Sequence, residues 1–171
     1  MSVKDERVKL DEIDLRILAI LQKKGRITNA KLASQVGLSA PPMLERVKKL
    51  ERTGVIKGYR AILDAKRLGR SFFVFAALNV DVLELSNVET FERAMANMPE
   101  VLECHHIAGN IDFLLKINVF DQEHFKNFVT NHLAKITGIR QIRSWVVLST
   151  VKESTELDIP EPNGAAEAVA D

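Results

Sequence analysis

Residues 28–54 constrain the fold most strongly, because they have the pattern of two short amphipathic helices separated by a single glycine. Thr28 and Ser39 are residue types that favour helix N-caps, and Gly37 lies where the chain must reverse. Apolar residues recur at helical spacing in each half: Leu32 and Val36 in the first helix, and Leu44, Val47 and Leu50 in the second. The segment therefore predicts a pair of helices joined by a tight turn.

The second helix of this pair carries four cations away from its apolar stripe: Arg46, Lys48, Lys49 and Arg52. A basic helix held across a partner helix by a tight turn is the unit that enters the DNA major groove. Solvated surface charges and an ordinary glycine C-cap would give the same local pattern. Pro41 and Pro42 favour the DNA-binding interpretation, because prolines in the first turn fix the start of the helix rigidly.

The charges are distributed unevenly along the chain, although its net charge is only +1. Residues 1–70 contain 17 Lys+Arg against 8 Asp+Glu, a net charge of +9, whereas the remaining residues contain 7 against 15, a net charge of −8. This asymmetry indicates a basic domain that meets phosphates and an acidic domain with another task.

Length and composition limit the number of domains and the class of protein. A chain of 171 residues holds one large domain or two small ones, and the change of charge favours two. The single cysteine, Cys104, excludes an intrachain disulfide and a cysteine-rich zinc site, and we expect it to be a small core residue on a strand. The longest apolar run, Phe72–Leu78, is too short to span a bilayer, and the charged N-terminus lacks the apolar core of a signal peptide. We therefore expect a cytoplasmic protein.

A third helix precedes the pair. Asp11 is its expected N-cap, and an apolar stripe at helical spacing follows up to Gly25: Ile13, Ile17, Leu18, Ile20 and Leu21. Residues Val55–Ile62 alternate like a short strand, so Lys57 and Arg60 either lie on a wing beside the duplex or belong to a strand docked on the helices.

The second half of the chain alternates strand and helix patterns. We expect strands at Phe72–Val80, Val101–Ala108, Phe113–Val119 and Ile139–Val151, and helices at Val88–Met98 and after Asp121 up to Gly138, with His132 on the inward face of the second. The order βαββαβ predicts a ferredoxin-like sandwich, so the fold class is α+β. One face of its sheet needs a partner, and dimerisation through the sheets is the simplest solution.

These patterns predict four segments. They are a DNA-binding domain at residues 1–62, with its helix-turn-helix at about 28–53, a linker at 63–71, an oligomerisation domain at 72–154, and a disordered acidic tail at 155–171. The tail contains no Lys or Arg.

The sequence resembles the Lrp/AsnC (feast/famine) transcriptional regulators from about Leu10 to Ser154. The resemblance rests on several short matches: Leu10-Asp11-Glu12-Ile13-Asp14, Ile17-Leu18, Gly25-Arg26, Val36-Gly37-Leu38-Ser39, Leu44-Glu45-Arg46-Val47, Leu50-Glu51, Gly54-Val55-Ile56, Glu103-Cys104-His105, and Gly109 with Asp112. It implies a winged helix-turn-helix joined to a βαββαβ (RAM/ACT-like) sensing domain. Ala40-Pro41-Pro42-Met43 departs from the family pattern of proline, hydroxyl residue, proline and cysteine, at a turn that approaches the bases.

The resemblance also implies a function. Members of the family bind double-stranded DNA, form dimers that assemble into tetramers, octamers or larger discs, and respond to a small effector, usually an amino acid. The residues expected to face DNA are Thr28, Ser39, Ala40, Pro41, Pro42, Met43, Arg46, Lys48, Lys49, Arg52, Lys57 and Arg60. The matching effector pocket would comprise His106, Ala108, Gly109, Asn110, Asp112, Ser144, Trp145 and Val147, although Gly109 and Asp112 could instead only build a turn.

Two other functions are compatible with this domain organisation. Siroheme decarboxylases resemble the family and use histidines near their pocket, and a third possibility is an amino-acid sensor that acts through protein partners. The retained basic helix argues against both. His105 and His106 are adjacent on a strand and point to opposite faces, so they do not readily share a metal ion. We expect no catalytic residue, no metal and no cofactor beyond the effector.

Overall fold

A computed structural model of the chain describes residues 8–81 and 88–159. They fall into two units, one formed by the described residues up to Ile62 together with those from Ser154 onward, and the other by Leu63–Glu153. No helix among these residues is long and apolar enough to cross a membrane.

The first unit is built on three helices, α1 (Glu12–Lys23), α2 (Asn29–Val36) and α3 (Ala40–Arg52). Asp11 and Thr28 cap α1 and α2 as predicted, and Gly37 closes α2 with a φ of 75°, a conformation that favours glycine. The apolar faces meet in a core whose fully buried members are Ile17, Leu32, Met43 and Leu50. The helix–turn–helix prediction is confirmed.

The prediction of a strand at Val55–Ile62 was wrong. The structure describes this segment, and it forms no strand. Val55 and Ile56 pack against the helical core, and the Tyr59 hydroxyl donates to Glu51 Oε1 at 3.1 Å. An alternating pattern becomes a strand only when another strand is available to pair with it. In this segment Val55 and Ile56 pack on the helices instead, whereas Ile62 is 97% exposed.

The second unit has the predicted order βαββαβ. Its elements are β1 (Phe72–Val80), α4 (Val88–Ala96), β2 (Val101–His106), β3 (Phe113–Val119), α5 (Gln122–Asn131) and β4 (Ile139–Val146), with a 3-10 turn at Leu133–Lys135. The four strands form one antiparallel sheet in the order β2-β3-β1-β4. β4 is shorter than predicted. Val147 N donates to Phe73 O near the start of β1, and beyond this bond the described residues offer β4 no further strand with which to pair.

One face of this sheet supplies the core and the other remains open. Val74, Ala76 and Leu78 of β1 are fully buried and pack with Phe128 of α5 and with side chains of the other elements. Phe75 and Trp145 lie opposite each other in the β1–β4 pairing, and 38% and 53% of their surfaces are exposed. The sheet therefore keeps an apolar patch outside its own core, as the sequence predicted.

Two residues that we expected in this core are exposed. Cys104 does lie on a strand, but β2 is an edge strand, so the residue stays exposed beside α4. His132 follows the end of α5, where the helix turns into the 3-10 segment, and its ring stacks on Phe128 with centroids 5.7 Å apart. Both residues sit at the ends or edges of elements, where periodicity no longer dictates burial.

The segment from Ser154 returns to the first unit. The side-chain amide of Gln22 on α1 donates to Leu157 O at 2.9 Å and accepts from Leu157 N at 3.0 Å. This pairing ties Leu157 to α1, at a position where composition alone predicted a disordered tail. Residues 160–171, which that prediction also covers, lie outside the described residues.

Candidate DNA interface and effector loop

The N-terminus of α3 has an unusual cap. Ser39 occupies the N-cap position with an extended backbone (φ −81°, ψ 161°), but its side chain makes no capping hydrogen bond. An N-cap hydroxyl normally accepts from the backbone N–H of the second or third helical residue, and here these are Pro41 and Pro42, which have none. The expected capping bond of Ser39 is therefore absent. Ser39 and the neighbouring Ala40 are both exposed.

The buried face of α3 is rotated relative to our expectation. Met43 is completely buried and shares the core with Val47 and Leu50, whereas Leu44 is 38% exposed. Residues four and three apart, 43, 47 and 50, make one continuous stripe, which explains why Leu44 lies at its edge. The prediction that Met43 faces DNA was wrong, since its side chain contributes to the core of the first unit.

Two of the four predicted cations of α3 point toward α1. Arg46 Nη1 donates to Asp11 Oδ2 at 2.6 Å and to Asp14 Oδ1 at 2.7 Å, and Lys49 Nζ donates to Asp14 Oδ2 at 3.2 Å. Asp11 and Asp14 also cap α1 reciprocally, because Asp11 Oδ1 accepts from Asp14 N and Asp14 Oδ2 accepts from Asp11 N. We call these four residues the α1–α3 clamp.

The clamp is buried on one side. The Asp14 side chain has no exposed surface, whereas those of Arg46, Lys49 and Asp11 are 28%, 42% and 53% exposed. The hydrogen bond from the Asp14 amide, reinforced by that from Arg46, lowers the pKa of Asp11, and the hydrogen bonds to Asp11 and Asp14 raise the pKa of Arg46. Asp11 and Arg46 thus remain charged at neutral pH.

The other predicted DNA-facing residues are exposed. Lys48 pairs only with Glu45, at 3.2 Å and one helical turn away, while Arg52 makes no ion pair within the part of the chain that the structure describes. Lys57 and Arg60 are exposed on the irregular segment after α3. The Thr28 hydroxyl accepts from Lys31 N at 3.3 Å as the cap of α2.

In the second unit, Asp112 is engaged by its own chain. Its Oδ2 accepts from Val80 N at 2.8 Å, its backbone N donates to Leu78 O, and its carbonyl accepts from Ile107 N. Asn79 Nδ2 also donates to Asn110 O at 3.0 Å. Residues 107–112 are therefore a turn fixed against the end of β1, with Ala108, Gly109 and Asn110 exposed at its tip.

The fold does not by itself require glycine at position 109. The φ of Gly109 lies outside the left-handed region, and a Cβ added there would meet no atom within 4 Å. By contrast, Gly37 and Gly69 have φ values of 75° and 70°. A glycine that its own chain does not require is consistent with close approach by a molecule from outside.

The eight predicted effector residues are not brought together within one chain. The turn around Gly109 lies beside Asn79 and Val80, whereas Ser144 and Trp145 pair with Ala76 and Phe75. That places the two groups about 13 Å apart along β1 at roughly 3.3 Å per residue. Ser144 and Trp145 also point to opposite faces of the sheet, and Val147 bonds to Phe73, further away still. A single pocket containing all eight residues would need a second chain.

His106 lies on the helix side of the sheet. Its ring stacks on Phe113 with centroids 4.7 Å apart, beside a cleft of about 390 Å³ whose lining also includes Glu92, Met95 and Cys104. Partial burial in this cleft, with Glu92 nearby, raises the pKa of the Cys104 thiol. Within residues 8–81 and 88–159, no group of three or more His, Cys, Asp or Glu side chains is arranged to hold a metal ion.

Sequence reasoning missed the partners of the α3 cations. Asp11 was recognised only as a cap, and Asp14 only as part of a motif. The available signal was their spacing, since Asp11 and Asp14 are three residues apart on α1, as Arg46 and Lys49 are on α3.

A helix-turn-helix unit joined to a ferredoxin-like unit with an exposed polar turn defines a DNA-binding protein with a separate sensing domain. Residues 10–57 match the winged helix-turn-helix DNA-binding domain, and residues 74–157 match the Lrp/AsnC ligand binding domain. The chain belongs to the Lrp/AsnC family of transcriptional regulators.

Named relatives agree with this assignment. The chain is 39% identical over 153 residues to the leucine-responsive regulatory protein of Rhizobium meliloti, covering 90% of this chain and 98% of the relative. It is 40% identical to the protein of the same name in Escherichia coli, covering 88% and 92%. Among solved structures, it is similar to a transcriptional regulator of Neisseria meningitidis in complex with L-Met, with a TM-score of 0.81, 32% identity, and coverage of 88% and 97%.

Proposed function

We propose that this protein binds duplex DNA through α3 and that an amino acid bound to its second unit changes its DNA affinity or assembly. The observation that carries the proposal is the combination of a basic helix-turn-helix with an exposed polar turn on a separate unit. Membership of the Lrp/AsnC family supports both halves.

We assign base contacts to the N-terminal end of α3. In helix-turn-helix proteins this end of the second helix meets the base edges in the major groove. Here it offers the Ser39 hydroxyl, which caps nothing, and the exposed apolar surfaces of Ala40, Pro41 and Pro42. Hydroxyl groups bond to several base edges, and apolar groups fit the C5-methyl group of thymine. The tip therefore favours sites in which thymines lie opposite these residues.

Phosphate contacts fall to the exposed cations of the first unit. Lys48 and Arg52 on α3 are exposed, as are Lys57 and Arg60 after it. Arg46 and Lys49 are instead partly buried and paired with Asp14. Each phosphate contact releases condensed counterions, so affinity should fall steeply with salt.

We assign the effector site to the turn at Gly109, which an amino-acid ligand can approach closely. Ala108 to Asn110 are exposed, and the fold leaves open space at Gly109. Asp112 supplies a carboxylate for an ammonium group, because only its Oδ2 is used by Val80 N. The L-Met complex of the Neisseria meningitidis relative supports an amino acid as the ligand class. His106 borders this turn, whereas Ser144, Trp145 and Val147 would have to come from another copy.

A second copy of the chain fits the open sheet face. Phe75 and Trp145 form an exposed apolar pair there, and a dimer through the sheets would bury it. We propose a dimer that associates further into tetramers or octamers, in the cytoplasm, where DNA is accessible.

The enzymatic alternative is weaker. A decarboxylase of the siroheme type would depend on histidines near its pocket, but His105 is held by Glu103 at 3.1 Å and lies on the opposite face of β2 from His106. We therefore propose a regulator without catalytic residues. A sensor that acts only through protein partners would not need exposed Lys48 and Arg52.

The experiment that tests the proposal is selection of duplex fragments from a random pool, followed by measurement of affinity for the selected site. We expect the selected site to bind at least about 10³-fold more tightly than random duplex at moderate salt. A folded protein that binds all duplexes equally, or none, would refute the DNA-binding half of the proposal.

A further inference from the structure

The α1–α3 clamp joins the start of α1 to the middle of the DNA-recognition helix. Asp11 and Asp14 lie at the N-cap and third position of α1, and Arg46 and Lys49 lie one turn apart on α3. A single guanidinium nitrogen, Arg46 Nη1, bridges two carboxylates at 2.6 and 2.7 Å. Each carboxylate also accepts from the backbone N–H of the other aspartate.

We propose that Asp14, with Asp11, is a positioning residue for DNA recognition, and that Arg46 and Lys49 hold α3 at its reading angle instead of contacting DNA. The inference rests on the proposed DNA binding by α3. It assigns opposite roles to neighbouring cations, since Lys48 and Arg52 contact phosphates while Arg46 and Lys49 do not.

Burial supports this division. Asp14 has no exposed surface, and a charge removed from water needs opposite charges that remain with it. If Arg46 and Lys49 left Asp14 to meet phosphates, the carboxylate would remain buried and unpaired. Breaking such a buried pair is strongly unfavourable, so the two cations remain with Asp14 when DNA binds.

Geometry explains how the clamp acts on recognition. The base-reading tip at Ser39–Pro42 is one to two turns before Arg46, so a change in the angle of α3 displaces the tip relative to the bases. Apolar packing alone permits some sliding between helices, whereas a guanidinium bridging two fixed carboxylates specifies one position.

The decisive experiment measures DNA affinity against salt concentration for the full chain and a fluorescent duplex carrying the selected site. The variants are Arg46→Gln, Arg46→Lys and Asp11→Asn, with Arg52→Gln as the matched exposed control. Far-UV circular dichroism and thermal melting establish that each variant is folded. Asp11→Asn is the mildest, because asparagine keeps the N-cap of α1 and Asp14 remains paired.

The clamp predicts that Arg46→Gln lowers affinity about tenfold at every salt concentration with the log–log slope unchanged, whereas Arg52→Gln reduces the slope by about 0.9. Arg46→Lys should not restore affinity, because the lysine nitrogen lies one bond nearer the backbone than Nη1 and its flexible, strongly hydrated ammonium does not hold one position between the two carboxylates. Asp11→Asn should weaken binding, although it removes a negative charge that would repel DNA.

Three results would overturn the inference. They are a slope reduced by about 0.9 in Arg46→Gln, wild-type affinity in Arg46→Lys, or tighter binding by Asp11→Asn. These outcomes are separate from failure of the proposed function, which would appear as wild-type protein that binds no duplex. If Arg46→Gln does not fold, Arg46→Lys and Asp11→Asn decide the question.

Discussion

The two units of this protein use their most conspicuous side chains in opposite ways. In the first unit, which contains the DNA-binding helices, the helical pattern placed Arg46 and Lys49 on the surface. Both side chains instead pair with Asp14, which is fully buried. In the sensing unit, large apolar side chains that usually lie inside remain outside, and Phe75 and Trp145 face each other on the open sheet.

This contrast separates residues that hold a fold together from residues that meet a partner. A charge on a helix surface is free to contact DNA only if it is not already paired with a buried opposite charge of its own chain. Similarly, an apolar side chain on a strand belongs to the core only if a helix covers its face. We therefore propose that fewer cations contact DNA than the sequence suggests, and that Phe75 and Trp145 contact a partner chain.

The largest effect should come from charging the open sheet face. Trp145→Glu places a carboxylate in the apolar patch, and we expect the assembly to dissociate to monomers at micromolar concentration. Phe120→Glu is the matched control, because Phe120 is also 53% exposed but lies beyond the end of β3. Light scattering coupled to size-exclusion chromatography measures both masses. An unchanged oligomer mass in Trp145→Glu would exclude the open sheet face as the interface.

The next effect concerns the effector turn. Asp112→Asn keeps an oxygen that can accept from Val80 N but loses the charge that pairs with an ammonium group. We expect amino-acid affinity to fall by about 1.5–3 kcal/mol, or roughly ten- to a hundredfold, with little loss of stability. Titration calorimetry tests this. Equal affinity in wild type and Asp112→Asn would make Asp112 a turn residue only, and Asp112→Ala reports the cost of losing the Val80 bond.

A smaller effect should follow from the apolar tip of α3. Replacing a thymine of the selected site by deoxyuridine removes one methyl group and leaves the base-pairing edge unchanged. We expect a loss of about 0.8 kcal/mol, or about fourfold, for each methyl group that contacts Ala40, Pro41 or Pro42. A thymine-by-thymine replacement series followed by fluorescence anisotropy measures it. If no position in the site responds, the tip does not read thymine methyl groups.

The smallest effect is a pH dependence of the clamp. Because the pKa of Asp11 is lowered in the folded state, its contribution to stability is present above its ordinary pKa and is lost as pH falls through the lowered value. The first unit should therefore lose thermal stability below about pH 4. Calorimetric melting of wild type and Asp11→Asn over this range should show a shallower pH dependence in the variant. Parallel curves would mean that Asp11 does not contribute.

The sequence allowed the elements and their order to be predicted because helical and strand periodicity reflect local burial. The positions of α1, α2 and α3, and the βαββαβ order, depend on such patterns. The strand expected at Val55–Ile62 failed because pairing depends on distant chain, and Cys104 was misjudged because a pattern does not reveal which strand lies at an edge.

The site was less predictable for a related reason. Spacing placed Arg46 and Lys49 off the apolar stripe, but their pairing with Asp14 depends on how α1 crosses α3. The missing cap of Ser39, in contrast, follows from the sequence, because prolines two and three residues after a serine remove the backbone N–H groups from which its hydroxyl would accept. The effect of proline on nearby hydrogen bonds can be predicted from the sequence, whereas contacts between helices can be identified only once the fold is known.

The most direct test of the whole account is DNA affinity measured with and without each of the common amino acids, using the selected site at one fixed salt concentration. If an effector acts on DNA binding or assembly, at least one amino acid should shift the dissociation constant by about 5- to 150-fold, and the shift should diminish in Asp112→Asn at the same ligand concentration. Superimposable binding curves for all amino acids, with wild-type protein that is folded and binds the site, would contradict the account.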